Sequence, residues 1–286
     1  MPRPDSGFTL VEAIVVIVIL AIVASIMAVF IGGPVQGYFD SARRAGMSDV
    51  ADTALRRMAR DARLAVPNSV RATLSGGIYY LEFVPTLSGG QYRGNDACFT
   101  SGAGCGQLTA LSGALSGAAA GSFIAVYNVN NNAAGDCSGS APSVYCGQNR
   151  AAIAGTAAAT DATYGSAELN LNFANTVFNP SLAASMPGQR FQIFSGPVTY
   201  ACAPAVNGTD GSGTLNRYSG YALQAAQPTA FAGITPALLA GNVSGCTIGY
   251  ADGVLGNRGL ITLWLEIRTQ GESVSLMQQV HVDNTP

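Results

Sequence analysis

The amino-acid sequence predicts an α+β protein in which one long N-terminal helix packs on an antiparallel β-sheet domain. Three observations predict it. An apolar run without a charged residue extends from residue 13 to residue 31. Apolar residues at helical spacing then continue to about residue 66. From residue 67 onwards, short segments of alternating apolar and polar residues are separated by turn-forming residues, which is typical of antiparallel strands.

The apolar run is long enough to cross a membrane. A helix rises about 1.5 Å per residue, so roughly 20 apolar residues span a hydrocarbon core about 30 Å thick. Residues 8–31 are therefore predicted to form a transmembrane helix, and residues 1–7 form a short polar leader before it.

One residue does not suit an ordinary membrane span, because Glu12 places a carboxylate at the edge of the apolar run. Burying an ionised carboxylate in lipid costs at least about 2 kcal/mol, so such a group usually has a partner. No arginine lies within helical reach of Glu12 inside the span. We therefore consider a cation of another chain as the partner of the Glu12 carboxylate.

Two simpler interpretations of this segment explain less. A cleaved secretory signal has a basic start, a shorter apolar core and a small-residue exit site. Here the core is too long, and the charges of Arg3 and Asp5 cancel. An ordinary membrane anchor matches the length but gives no reason for Glu12.

Residues 32–66 are predicted to be an amphipathic continuation of the helix. Pro34 removes one helical hydrogen bond and the two preceding glycines weaken the helix, so a kink or a short break is expected there. Beyond Pro34, apolar residues recur at steps of three and four, and this face is expected to pack on the globular domain. Two ion pairs are expected on the charged face, Asp52–Arg56 and Arg57–Asp61.

Residues 67–286 are predicted to form one β-rich domain. Two hairpins are the clearest features, one turning at 75–77 and the other at 270–272. The predicted strands are 70–74, 78–84, 122–129, 168–173, 190–194, 198–201, 215–224, 243–250, 260–268 and 273–283. The segments 85–121 and 130–162 are rich in small residues, and long loops are expected there.

Six cysteines, all beyond the apolar run, favour disulfides in an oxidising compartment. Loop closure and the local glycine content favour two short-range bridges and one long-range bridge. The expected pairs are Cys98–Cys105, Cys137–Cys146 and Cys202–Cys246. A zinc site is disfavoured because the sequence has no C-x-x-C motif and His281 is the single histidine.

The sequence shows no recognisable catalytic or cofactor constellation. It lacks a nucleophile elbow, a phosphate loop and a cluster of carboxylates, so no enzyme activity, cofactor or metal is predicted. Asp136, Asp210 and Asp252 lie in loops without the spacing of a calcium site, and we interpret them as turn residues. A net charge of −2 gives no nucleic-acid signature.

The residues Gly7-Phe8-Thr9-Leu10-Val11-Glu12 resemble the class III signal of type IV prepilins and pseudopilins. The resemblance implies that a prepilin peptidase cuts between Gly7 and Phe8 on the cytoplasmic side and methylates the new amino group of Phe8. Glu12 is then the fifth residue of the mature chain. It can neutralise the cationic amine of a neighbouring subunit as the helices bundle into a filament.

Three further segments are similar to the MshO family of minor pilins, which belongs to the biogenesis system of the mannose-sensitive haemagglutinin (MSHA) pilus. These segments are 190–202, 215–221 and 274–286. The similarity implies a pilin-like fold and a low-abundance subunit, without catalytic activity, that helps to prime or cap a type IV pilus. It implies other minor and major pilins as partners through the N-terminal helix. It also implies a bacterial inner-membrane location with a periplasmic domain, followed by transfer to the pilus.

Other function classes stay open at this point. A J-type minor pseudopilin of type II secretion is the nearest alternative within the superfamily. A pilus-tip adhesin, whose disulfide-tied loops recognise a surface or a glycan, is the alternative among binding proteins. A membrane-anchored periplasmic hydrolase is the enzyme alternative, and the missing acid/base cluster argues against it.

Overall fold

The computed structural model describes residues 7–93, 104–138, 141–176, 178, 188–253 and 257–286. The chain divides into two compact units, Met1–Met47 and Ser48–Pro286. It contains one long helix followed by antiparallel sheets, so the predicted α+β class is confirmed.

Helix α1 runs from Leu10 to Arg63 and crosses the boundary between the two units. The helix continues through Pro34, so the predicted break is absent. The physical reason is that proline removes a single hydrogen bond, while the turns on either side keep theirs. A kink at this position stays a prediction.

Among the described residues, fifteen strands follow the helix. They are β1 (Arg71–Ser75), β2 (Ile78–Phe83), β3 (Thr86–Gln91), β4 (Cys105–Ala110), β5 (Phe123–Val126), β6 (Arg150–Thr160), β7 (Ala167–Thr176), β8 (Arg190–Phe194), β9 (Val198–Ala203), β10 (Val206–Asn207), β11 (Asp210–Gly211), β12 (Gly213–Ser219), β13 (Ala237–Ala251), β14 (Arg258–Thr269) and β15 (Glu272–Asp283).

Seven of these strands form an antiparallel sheet in the order β1-β2-β9-β12-β13-β14-β15. Both predicted hairpins are present in it, β1–β2 and β14–β15. The second hairpin turns at Gln270 and Gly271, which have φ angles of 51° and 80°. Two consecutive positive φ angles give the turn whose twist matches that of the flanking strands, and this fixes the register.

The part of α1 that belongs to the second unit packs on this sheet through its apolar face. The side chains of Leu55 and Met58 are 3% and 1% exposed. Together with Leu263 and Leu265 of β14, they line one small apolar cavity between helix and sheet. Every second residue of β14 is buried, namely Gly259, Ile261, Leu263, Leu265 and Ile267.

Of the two predicted ion pairs on the helix, Asp52–Arg56 is present with a nitrogen–oxygen distance of 2.6 Å. The prediction of Arg57–Asp61 is wrong. Asp61 instead pairs with Arg217 of β12 at 3.2 Å. Helical spacing shows which side chains are neighbours on the helix, but not that the sheet places a competing cation against one of them.

The segment between β2 and β9 forms a second sheet that the sequence did not predict. Its strand order is β3-β8-β5-β6-β7-β4. The two outer strands also meet, since Tyr92 and Ala110 form an antiparallel bridge and the Leu111 N–H donates to the Gln91 carbonyl at 2.9 Å. The sheet therefore closes on itself as a six-stranded barrel. Apolar residues from its strands fill the interior, including Leu108, Ile124, Ile153, Leu171, Phe191 and Ile193.

The prediction that 85–121 and 130–162 are long loops is therefore wrong. Strands β3 and β4 lie in the first segment, and β6 lies in the second. Strand β6 consists mainly of alanine, glycine and threonine, a composition with little strand signal. It becomes a strand because β5 and β7 pair with its two sides. The predicted strand 122–129 is also shorter than expected, since Tyr127 has a φ of 51° and ends it.

Two of the predicted disulfides are present in the structure. Cys137–Cys146 closes a loop between β5 and β6, and Cys202–Cys246 joins β9 to β13, which flank β12 in the sheet. The third predicted pair is Cys98–Cys105. Cys98 lies outside the described residues, and Cys105 is disulfide-bonded.

A buried ion pair holds the first hairpin to the loops around it. The Arg71 guanidinium donates to Glu82 at 2.7 Å, and the two side chains are 1% and 0% exposed. Arg71 also lies over the Tyr145 ring, 3.7 Å from its centre, and donates to the Ala225 carbonyl at 2.6 Å. Burial raises the pKa of Glu82, against the opposing effects of Arg71 and the Tyr221 hydroxyl.

Replacing one partner of this pair tests its contribution. Glu82→Ala leaves the Arg71 charge buried without compensation, so the free energy of unfolding is expected to fall by about 3–5 kcal/mol. The matched control is Asp52→Asn, which breaks an exposed pair and should change stability little. Urea denaturation of both variants measures the difference, and equal losses would contradict it.

The two described disulfides differ in the length of chain that they close, with sequence separations of 9 and 44. In the chain-entropy model these loops correspond to about 3 and about 4 kcal/mol. The double variant Cys202→Ala/Cys246→Ala is therefore expected to lose more stability than Cys137→Ala/Cys146→Ala. Thermal unfolding without reductant compares them, and the reverse order would count against this account.

Candidate functional site: the N-terminal helical segment

The first turn of α1 is capped by its own sequence. Thr9 is the residue before the helix, and its hydroxyl oxygen accepts the Glu12 backbone N–H at 3.3 Å. Thr9 and Glu12 have the Thr-x-x-Glu spacing of a capping box. The bond satisfies one of the four N–H groups that a helix start leaves without a partner. The role of Thr9 was not predicted from the sequence, although its spacing to Glu12 is the signal that indicates it.

The helix after this cap is long and apolar enough to cross a membrane, over the 19 residues Leu10–Ala28. Its large apolar side chains are uncovered, with exposed fractions from 41% at Val23 to 77% at Leu10. The Ser25 hydroxyl donates to the Ile22 carbonyl at 2.8 Å, so the one polar side chain between Glu12 and Ala28 is satisfied within the helix. Such an apolar surface is removed from water when it lies in lipid or packs against the helices of other chains.

The Glu12 carboxylate lies in the first helical turn and is exposed. It makes no ion pair with any residue that the structure describes. The helix N-terminus favours a negative charge there, but its effect is typically less than about 1 kcal/mol and does not replace a counter-ion. The carboxylate can therefore accept hydrogen bonds from a cation that another molecule supplies.

Gly7 and Phe8 precede the helix in a segment without regular secondary structure. Phe8 is 72% exposed, and nothing lies within 4 Å of the position that a side chain at Gly7 would take. The Gly7–Phe8 peptide bond is thus open to an external enzyme. Phe8 and Glu12 are four residues apart in the first unit, whereas the five described cysteines belong to the second unit.

The three aspartates that we interpreted as turn residues each accept hydrogen bonds from other residues of the same chain. Hydrogen bonds from the Ser138 hydroxyl and backbone N–H lower the pKa of Asp136. Asp210 accepts the Gln270 backbone N–H, and Asp252 accepts from the Asn284 amide at 2.9 Å. Within the described residues, no group of three or more His, Cys, Asp or Glu side chains could hold a metal ion.

Comparison with known proteins identifies the same N-terminal segment. Residues 2–28 match a family model described as the prokaryotic N-terminal methylation motif. Neither the curated proteins nor the solved structures gave a match. The matched motif, the apolar helix and the large antiparallel β domain support a protein of the type IV pilin and pseudopilin class. The motif implies processing by prepilin peptidase and assembly with other pilins.

The cap can be tested by removing the Thr9 hydroxyl. Thr9→Ala is expected to destabilise the first turn by about 1 kcal/mol, which raises the exchange rate of the Glu12 amide roughly fivefold. Thr9→Ser keeps the acceptor oxygen and is the matched control. NMR hydrogen exchange of the full chain in detergent micelles gives the rates, and equal rates in the two variants would exclude the cap.

Proposed function

We propose that the chain is a minor pilin-like structural subunit of an MSHA-type pilus and that it acts in pilus assembly or priming. One observation carries the proposal. A capped apolar helix with a single carboxylate in its first turn is uncovered by its own chain and is joined to a large β domain. Such a helix is suited to lie first in lipid and then among similar helices.

The proposed maturation begins at the leader, residues 1–7. Prepilin peptidase cuts between Gly7 and Phe8 and methylates the new amino group of Phe8, which keeps its positive charge. The chain then starts with a cation that has little hydration near lipid. Glu12 of one subunit and the Phe8 amine of a neighbour are costly to bury alone and tolerable as a pair, so their pairing drives the helices into one bundle.

We further propose how the chain is divided between compartments. Residues 8–31 span the inner membrane, 32–66 extend the helix, and 67–286 form the periplasmic domain. Disulfides support this orientation, since they persist in the bacterial periplasm and are rare in the cytoplasm. The domain is then carried to the pilus surface. The proposed role involves no catalysis, cofactor or nucleic acid.

A role at one end of the filament suits the size of the domain. The barrel occupies the segment between β2 and β9 and adds a second body to the helix-on-sheet architecture. A bulky subunit is more easily accommodated where it has few neighbours than at every repeat of a shaft. This supports a priming or capping subunit rather than the major pilin.

Two alternatives use the same N-terminal segment. A J-type minor pseudopilin of type II secretion requires the same processing and the same Glu12 pairing. A pilus-tip adhesin is favoured by the barrel, whose loop between β5 and β6 is tied by Cys137–Cys146 and could present a recognition surface.

Processing and assembly are tested through Phe8 and Glu12. Mass spectrometry of the native protein is expected to show methylated Phe8 as the first residue. Glu12→Ala and Glu12→Gln should leave membrane insertion and cleavage intact, but reduce incorporation into sheared filaments roughly tenfold or more, because the neighbour's amine stays unpaired. Glu12→Asp keeps the charge and is the control. A native chain beginning at Met1, or normal incorporation of both variants, would contradict the proposal.

Deletion of the gene separates the alternatives. Loss of pili is expected for a priming subunit. Intact pili with loss of attachment would point to an adhesin instead, and intact pili with loss of protein secretion would point to a pseudopilin.

A further inference from the structure

Strand β15 is an edge strand with none of the usual protection. It lies at one end of the seven-stranded sheet and pairs with β14 over twelve consecutive residues without a bulge. Its acidic residues, Glu272 and Asp283, are its first and last residues, and the stretch 273–280 has neither charge nor proline. Proteins usually shield long edge strands with charges, prolines, bulges or covering loops, because an open edge pairs with other chains.

The other sheet edges of the described chain are short or closed. Strand β1, at the opposite end of the same sheet, has five residues. The loop after β12 crosses it, where the Thr73 hydroxyl donates to Gln227 at 2.8 Å. The barrel has no free edge, because β3 and β4 meet at Tyr92 and Ala110. Within the parts of the chain described, β15 is thus the one long edge left open.

The hairpin turn determines which backbone groups of β15 face outward. In a hairpin with a two-residue turn, the residues that flank the turn, here Thr269 and Glu272, form a hydrogen-bonded pair. Every second residue after Glu272 then bonds to β14. The residues between them direct their N–H and C=O groups away from the sheet, and they include Ser273, Ser275, Met277 and Gln279. Met277 is also 64% exposed, so it offers apolar contact beside these groups.

A cationic groove of about 510 Å³ lies beside this edge, between α1 and the middle of β15. Leu55 and Ala59 are buried in its wall, and Arg56, Arg60 and Arg63 line it from the helix. Arg56 pairs with Asp52. Arg60 and Arg63 make no ion pair with any residue in the described ranges, so the groove carries uncompensated positive charge.

We propose that β15 accepts one further strand from a different subunit, and that this strand is an extended acidic segment with carboxylates at alternate positions. Its backbone pairs with the outward groups from Ser273 to Gln279. Its alternate side chains, about 6.7 Å apart, point over the helix side of the sheet. Two of them reach Arg60 and Arg63, whose Cα atoms are separated by a helical rise of about 4.5 Å.

Charge distinguishes this occupant from a second copy of the chain. Two β15 strands paired antiparallel are related by a two-fold axis perpendicular to the sheet, so both helices lie on the same face. Arg60 and Arg63 of the two copies then line one continuous groove and repel each other. An acidic strand instead compensates these charges.

The surface belongs wholly to the second unit and does not involve Gly7, Phe8 or Glu12. The inference therefore goes beyond the proposed function, and its test does not depend on processing or filament assembly.

The test uses the full chain in detergent micelles and a fluorescent short peptide with Glu at alternate positions and Thr or Val between them. Anisotropy is expected to show binding that weakens with salt, and hydrogen exchange should slow at the amides of Ser275, Met277 and Gln279. A matched peptide with Gln in place of Glu should bind about tenfold more weakly. The same acidic peptide with N-methylated alternate amides should not bind, because it cannot complete the strand pairing.

Variants of the chain separate charge from backbone pairing. Arg60→Gln/Arg63→Gln should weaken binding about tenfold and remove most of its salt dependence. Arg57→Gln removes an exposed arginine of the same helix outside the groove and should bind like the wild type. Met277→Pro removes an outward N–H and keeps the bonds to β14, so it should abolish the exchange protection.

Several results would overturn the proposal. They are equal binding of the Glu and Gln peptides, binding of the N-methylated peptide, an equal effect of Arg57→Gln, or absence of exchange protection at the three amides. Concentration-dependent dimerisation of the chain that protects the same amides would assign the edge to a second copy instead.

Discussion

The fold depends on one contact, the burial of the apolar face of α1 against the inner face of the seven-stranded sheet. Leu55 and Met58 of the helix meet Leu263 and Leu265 of β14, and all four are at most 3% exposed. Burying such side chains contributes roughly 1.5–3 kcal/mol each. This contact determines which faces of α1 and β14 are removed from water. It also leaves Arg60 and Arg63 on the outer side of the helix, beside the edge of β15.

Polar ties then determine how the rest of the second unit is arranged around that contact. Asp61 fixes α1 to β12 through Arg217. Arg71, paired with Glu82, fixes the first hairpin to the backbone carbonyls of Asn132, Gln224 and Ala225. The charges of Arg71 and Glu82 are buried and therefore stable only as a pair, so this tie allows one arrangement of its partners. The disulfide between β9 and β13 adds a covalent restraint close to the same helix.

The two units present different surfaces for assembly. The first offers an uncovered apolar helix with a single carboxylate, which is suited to lipid and to other helices. The second offers an open strand beside two uncompensated arginines, which is suited to one extended acidic partner. The helical surface is compatible with many similar helices, whereas strand pairing and charge select a particular partner. A pilin-like protein that contacts both similar helices and one unlike partner needs both kinds of surface.

The sequence by itself determined the elements whose signal is local. The apolar helix and the β1–β2 and β14–β15 hairpins follow from charge, spacing and turn residues between neighbours in the chain. Only the tertiary structure decided what depends on distant partners. Strand β6 has little intrinsic strand preference and forms because β5 and β7 bond to both of its sides. Asp61 pairs with Arg217 and not with Arg57, because the sheet places the Arg217 guanidinium beside it. The barrel and the open edge of β15 likewise arise from strand order, since hydrogen bonds between strands far apart in the chain decide which edges close.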